Sequence, residues 1–221
     1  MLNQLSINKK IHAFNKTIIV SGDKSLSIRW ALLASQATGK SRAYNLLMSQ
    51  DVMATLNALK KLGIKINFKK KYCEILGNGI NSFKYKKNLT IDAENSGTLG
   101  RLILGLLIKS PQKIKLIGDK SLSKRDFSRV TKPLQKFGAQ FFHKTKNKLP
   151  LSIIGSKSPM GIHYIEKKGS AQCKSAVMLA ALNANSETSI KAKKSRDHSE
   201  LLFRYLKIPI KIKKTKKYDF I

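Results

Sequence analysis

Apolar positions in this chain fall into short blocks whose spacing alternates between strand-like and helix-like. Thr17-Ile18-Ile19-Val20 is a β-type run that stops at Ser21-Gly22, after which Trp30-Ala31-Leu32-Leu33-Ala34 continues at helical density. Asp23 and Ser25 are both good helix N-caps, so a strand hands over to a helix here. Upstream, residues 1–20 read as two strand-like pieces separated by Asn8-Lys9-Lys10. A turn at Thr38-Gly39-Lys40-Ser41 and a strand over Ala43-Leu47 follow. Next comes a helix from Asp51 to Lys61, capped by Ser49, with Val52, Leu56 and Leu59 on one stripe and Gly63 at its end. Strands over 64–68 and 72–76 close this first round. The order then repeats: strand 89–92, helix 99–108, strand 113–117, helix 126–137 ended by Gly138, and strands at 140–142 and 151–154. A third round runs through strand 162–164, helix 173–182, strand 188–190, helix 197–206 and a closing strand at 208–212.

Three rounds of strand, helix, strand, helix, strand, strand, each roughly 70 residues long, are an internal repeat of supersecondary units. The pattern predicts an α/β fold. Each round also opens its first helix with small polar residues: Lys24-Ser25, Asn95-Ser96-Gly97-Thr98 and Ser170-Ala171-Gln172. A helix start offers free N–H groups and the positive end of the dipole, so it favours a phosphate or carboxylate. Units packed about a pseudo-threefold axis would bring the three starts together. At the first of them, Lys24 and Arg29 lie five residues apart. They can reach one ligand only if Lys24 sits at the cap and Arg29 reaches up from the first turn. An ordinary capped helix with solvated cations is the simpler reading of any one such start; three in register favour a shared anion site. The letters Gly-Asp-Lys-Ser-Leu-Ser at 22–27 recur at 118–123, followed by Lys124 and Arg125. That copy precedes the second helix of its round and is not itself the repeat.

Composition narrows the picture little further. With 42% hydrophobic residues, the 221-residue chain can bury a core. The net charge is +32, but lysines dominate and are scattered, while aromatics make up 7% and are not interleaved with basic stretches. Readers of nucleic acid concentrate charge and rely on arginine and aromatics, so a specific nucleic-acid partner is not expected. Weak polyanion binding would still follow from the charge. Cys73 and Cys173 lack metal-ligand spacing and read as reduced thiols of a cytoplasmic protein, although two cysteines admit one disulfide. No apolar run approaches the length of a membrane span, and the first twenty residues carry neither an apolar signal block nor an arginine.

Five ordered motifs resemble the 5-enolpyruvylshikimate-3-phosphate synthase (3-phosphoshikimate 1-carboxyvinyltransferase) family. They are Gly22-Asp23-Lys24-Ser25-Leu26-Ser27-Ile28-Arg29, Asn95-Ser96-Gly97-Thr98 with Arg101, Gly118-Asp119-Lys120-Ser121-Leu122 through Arg125, Ser170-Ala171-Gln172-Cys173-Lys174-Ser175-Ala176, and Ser195-Arg196-Asp197-His198-Ser199-Glu200. The last two are similar to the branch often called class II. The related transferase acting on a UDP-sugar is less similar, because its reactive cysteine loop has no counterpart here. The resemblance implies an inside-out α/β domain of three βαβαββ units (about 19–80, 88–155 and 160–221), with residues 1–18 belonging to a second domain that is absent. It also implies enolpyruvyl transfer from phosphoenolpyruvate to shikimate 3-phosphate with release of phosphate, on the shikimate route to chorismate and aromatic amino acids, using no metal or organic cofactor.

Carried over residue by residue, Lys24 would contact both substrates. Ser25, Arg29, Ser170, Gln172, Ser195 and the backbone of Ala171 would hold shikimate 3-phosphate, while Arg125, Asn95 and Gly97 would serve phosphoenolpyruvate. Several positions depart from the family pattern: Ser21 stands for a usual Pro, Trp30 for Ala, Gln50 for Asp, Glu94 for Gly and Asp126 for Pro. Glu94 and Asp126 each place a carboxylate beside an expected anion site. The family is about twice this length, and its second domain supplies the carboxylates for proton transfer, so the chain alone is expected to bind shikimate 3-phosphate weakly without useful turnover. A separate chain could supply the other half. The other class of function left open is a non-catalytic basic protein holding nucleic acid or another polyanion on the same fold.

Overall fold

The structure is a computed structural model that describes residue 6, residues 8–10, 12 and 13, and residues 15–221. Its first element is helix α1 (Lys24–Ala34), followed by strand β1 (Thr38–Tyr44), helix α2 (Gln50–Lys61) and strands β2 (Lys65–Phe68) and β3 (Tyr72–Asn78). The second round is β4 (Thr90–Asp92), α3 (Gly97–Leu106), β5 (Ile114–Ile117), the single turn α4 (Lys120–Ser123), α5 (Ser128–Gln135), β6 (Gln140–His143) and β7 (Leu151–Ile154). The third is β8 (His163–Glu166), α6 (Ala171–Ala181), β9 (Ser189–Lys193), α7 (His198–Tyr205), β10 (Lys213–Lys214) and β11 (Tyr218–Phe220).

Each round makes its own sheet. The strand orders are β1-β3-β2, β4-β5-β7-β6 and β10-β11-β9-β8. In the second and third sheets the first strand pairs parallel to the strand after the helix, β4 with β5 and β8 with β9, and the other pairings are antiparallel. The first helix of each round lies inside. In α3, Leu99, Leu102, Ile103, Leu104 and Leu106 are all buried, so the helix is apolar all round, as an enclosed helix must be. The α6 helix is buried continuously from Cys173 to Ala180. Helices α3 and α6 run in the same direction: Thr98 meets Gln172 at their starts, and Gly105 meets Ala176 further along. A Cβ on Gly105 would lie 2.2 Å from the Ala176 carbonyl oxygen, so glycine is what permits this approach.

Four expectations are corrected. Thr17–Val20 forms no strand: among the described residues it enters no sheet, the Val20 carbonyl accepts instead from the Asn45 side-chain amide just after β1, and Ile18, Ile19 and Val20 are exposed. The other N-terminal strand-like piece falls largely outside the described residues. Thr38–Ser41 is not a turn but the start of β1, because antiparallel pairing with β3 extends from Thr38↔Asn78 to Tyr44↔Tyr72. No strand covers 208–212; β11 pairs with β9 instead and carries β10 on its outer side. Finally, α4 is a helical turn the hydrophobic pattern did not show, nucleated by a polar cap.

Candidate functional site

The three helix starts are each built by a side-chain cap. Asp23 accepts from the Leu26 N–H at 2.7 Å, Ser96 from Leu99 at 3.2 Å and Ser170 from Cys173 at 3.3 Å. The second copy of the six-letter motif folds as the first does, with Asp119 accepting from the Leu122 N–H at 2.7 Å.

The starts of α3 and α6 meet directly. The Gln172 amide donates to Thr98 Oγ1 at 3.0 Å and accepts from Arg101 Nη1 at 3.1 Å, and Arg101 also donates to the Gly97 carbonyl. Arg125 approaches from α4, donating to Asn95 Oδ1 at 3.2 Å, while the Asn95 amide donates to Asp119 at 2.7 Å. Two guanidinium groups thus flank Gly97. A Cβ there would lie 2.8 Å from Arg101 Nη1 and 2.9 Å from Arg125 Nη1. Burial holds the Arg101 pKa below its usual value, and Arg125 and Arg129 push it the same way. Cations crowded like this are relieved by an anion.

The α1 start joins α6 through Arg29. Its guanidinium folds back along the first turn, donating from Nη1 to the Ser25 carbonyl at 3.1 Å. Its Nε donates to Ser199 Oγ at 2.9 Å, and Nη2 to Ser175 Oγ at 3.1 Å. Arg29 is buried, and its pKa is lowered to about 10, first by that burial and then by Arg196, against the opposing pull of Glu200 and Asp23. It stays charged at neutral pH. Three of its five N–H groups have protein acceptors, leaving two for a ligand. Lys24 is exposed and pairs with Asp51 on α2 at 3.0 Å. Ser25 is partly buried beside it. Ser195 Oγ, just before α7, is buried without a hydrogen-bond partner among the described residues.

The two worrying carboxylates resolve differently. Asp126 accepts from both the N–H and the hydroxyl of Ser128, at 2.7 and 2.8 Å, which holds its pKa below the usual value; it is spent on starting α5. Glu94 stays exposed beside the α3 start, in a left-handed conformation with φ of 49°. Its carbonyl accepts from the Asp119 N–H at 2.8 Å, and the left-handed backbone there is one that glycine adopts at no cost.

Sequence reasoning did not find Ser175, Ser199 and Asp51 as partners of Arg29 and Lys24. The signal for the first two was Lys174, a lone charge inside the apolar run of α6, which marks a buried polar seam. An apolar cavity of about 400 Å³, lined by Met178, Phe203, Ile208 and Ile210 among others, lies apart and contains none of the site's cationic groups. Among the described residues, no group of three or more His, Cys, Asp or Glu side chains could hold a metal ion, and no helix is long and apolar enough to cross a membrane.

Comparison with known proteins agrees with this geometry. The sequence model of the family described as EPSP synthase (3-phosphoshikimate 1-carboxyvinyltransferase) matches residues 8–220. The 3-phosphoshikimate 1-carboxyvinyltransferase of Leuconostoc mesenteroides is 40% identical over 188 residues, covering 85% of this chain and 43% of the relative. That of Ruthia magnifica is 40% identical over 210 residues, covering 94% and 48%. A solved EPSP synthase from Acinetobacter baumannii superposes with a TM-score of 0.83 at 33% identity, over 92% of this chain and 46% of that one. The chain therefore spans about half the length of the curated relatives it matches. With its repeat, its three capped helix starts and a match from residue 8 to residue 220, the chain belongs to the EPSP synthase family.

Proposed function

We propose that this chain is the substrate-binding half of a cytoplasmic 3-phosphoshikimate 1-carboxyvinyltransferase, which transfers the enolpyruvyl group of phosphoenolpyruvate to shikimate 3-phosphate and releases phosphate. The observation that carries the reading is the meeting of the α3 and α6 starts, joined to α1 by Arg29, with Arg101 and Arg125 flanking Gly97. Two multiply charged anions need dense, fixed cations, and donors already in place stabilise developing charge without reorganisation. Shikimate 3-phosphate is assigned to Ser25, Arg29, Ser170, Gln172, the backbone of Ala171 and the unpartnered Ser195 hydroxyl. Phosphoenolpyruvate is assigned to Arg125, Asn95 and the space above Gly97. Lys24 turns from Asp51 toward both.

Proton transfer requires an acid–base group within hydrogen-bond reach of the reacting atoms, and the resemblance assigns that work to carboxylates. The carboxylates near this site are largely engaged: Asp51 with Lys24, Asp119 as the α4 cap, Asp126 with Ser128, and Glu166 with Arg129 and the Ser170 N–H. Turnover is therefore assigned to the combination of this half with a second, whether on the same polypeptide or on a separate chain. The exposed Ile18, Ile19 and Val20 and the N-terminal residues 1–18 are where that half would engage.

The test is phosphate release from the two substrates. The 221-residue chain alone is expected to give none, and mixing it with the C-terminal half of a relative is expected to restore release, lost again in Lys24→Ala. Release by the isolated chain that Lys24→Ala abolishes would overturn the division of labour. The second reading, a polyanion-binding protein, is favoured only by the +32 charge. It predicts affinity for nucleic acid that falls steeply with salt and indifference to shikimate 3-phosphate.

A further inference from the structure

Directly behind Arg29 lies a charged cluster with no access to solvent. Lys174 on α6 is fully buried and forms an ion pair with Glu200 on α7, itself 2% exposed; Asp219 on β11 lies 3.9 Å from Lys174 Nζ. Lys174 meets Glu200 through Oε1, and Glu200 Oε2 has no partner among the described residues. Each of these two helix residues has a serine beside it in the chain, Ser175 after Lys174 and Ser199 before Glu200. Ser199 Oγ donates to Ser175 Oγ at 2.6 Å, and these two hydroxyls receive Nε and Nη2 of Arg29. Two adjacent cross-links therefore tie α6 to α7, Lys174 to Glu200 and Ser175 to Ser199, and the second is the seat of Arg29. Counted together, Arg29 and Lys174 balance Glu200 and Asp219.

We propose that Lys174, Glu200 and Asp219 are positioning residues, fixing α6 against α7 at the spacing where Ser175 and Ser199 present Arg29 to the anionic substrate. A buried ion cluster adds less net stability than apolar side chains of the same volume would, because the charges must be stripped of water. What it supplies is a fixed distance. Lys174 is the one charged residue in the continuously buried run of α6 from Cys173 to Ala180. A charge is thus kept inside an otherwise uncharged buried run, one residue from the groups that hold Arg29.

This inference rests on the assignment of Arg29 to shikimate 3-phosphate, and the experiment separates the two. The triple variant Lys174→Met, Glu200→Met, Asp219→Asn removes the three charges behind Arg29 but leaves that buried guanidinium without its two balancing carboxylates, so it is expected to fold with a lowered melting temperature. Its affinity for shikimate 3-phosphate, read by calorimetry, is expected to fall by about tenfold or more, the loss of one well-placed charge-assisted contact. The Arg29 Nε–H resonance, assigned through Arg29→Lys, is expected to shift or broaden. A stable triple variant with unchanged affinity and an unchanged Arg29 signal would overturn the proposal, since the cluster would then be structural only. Should the triple variant not fold, Glu200→Gln decides, examined at a temperature where it is folded: a moved Arg29 signal supports positioning, and an unmoved one refutes it. If the unaltered chain binds no shikimate 3-phosphate, the functional assignment fails while the Arg29 resonance still decides the role of the cluster.

Discussion

Residue 94 shows how one side chain departs from its surroundings. Glu94 occupies a left-handed conformation and is exposed, two residues before the Ser96 cap of α3. The conformation costs a non-glycine residue about 1–2 kcal/mol, part of which glycine returns through its greater freedom when unfolded. Glu94→Gly is therefore expected to raise stability by up to about 1 kcal/mol. It is also expected to strengthen phosphoenolpyruvate binding by roughly a few-fold, as a like charge is removed from a solvated site. Thermal melts and calorimetry on the two proteins check both, and a lower melting temperature would contradict the account of the turn. Much at this scale was readable in the sequence. Of the two cap candidates Asp23 and Ser25, Asp23 is the cap and Ser25 lies within α1, and Arg29 folds back along the first turn to the Ser25 carbonyl. Its two serine acceptors were not legible, because they lie 146 and 170 residues away and only the fold brings them close.

Among the elements, the three inner helices carry the architecture, and their contact depends on small residues. Gly105 lets α3 approach the α6 backbone at Ala176, where any Cβ would collide with a carbonyl oxygen that cannot move without shifting the helix. Gly105→Ala is expected to destabilise the chain by about 2–3 kcal/mol, the cost of overpacking a dense core outweighing the better helix propensity of alanine. Denaturant unfolding measures it, and an unchanged midpoint would mean the helices are less closely packed than described. The helices were legible because apolar periodicity and caps are local. Strands were less so. A strand exists only if it pairs with a neighbour's edge, and 17–20 has the residues for a strand but enters no sheet among the described residues, whereas 38–41 looks like a turn yet pairs along its whole length with β3. The same reasoning places the closing strands at 213–214 and 218–220 rather than at 208–212, for it is β9 that decides where β11 can pair.

Across the molecule, the arrangement is a layer of inner helices with three sheets around it. Unit by unit the first sheet differs from the others: among the described residues it has three strands where they have four, and β1 is an edge strand whereas β5 and β9 are not. Next to that edge, Ile18, Ile19 and Val20 are 78%, 92% and 68% exposed, a cluster that a monomer in water gains nothing by showing. The chain spans about half the length of the curated relatives it matches, and the proposal that a second half completes the site gives this apolar corner an occupant. The net charge of +32 adds long-range attraction for anions but no selectivity, so selectivity is assigned to the fixed groups at the helix starts. The most direct measurement is calorimetric titration of the 221-residue chain with shikimate 3-phosphate at physiological ionic strength, beside inorganic phosphate and the Lys24→Ala variant. Saturable one-to-one binding, tighter than that of inorganic phosphate and weakened about tenfold or more by Lys24→Ala, is the expected result. Binding no tighter than inorganic phosphate, or indifferent to Lys24→Ala, would contradict it.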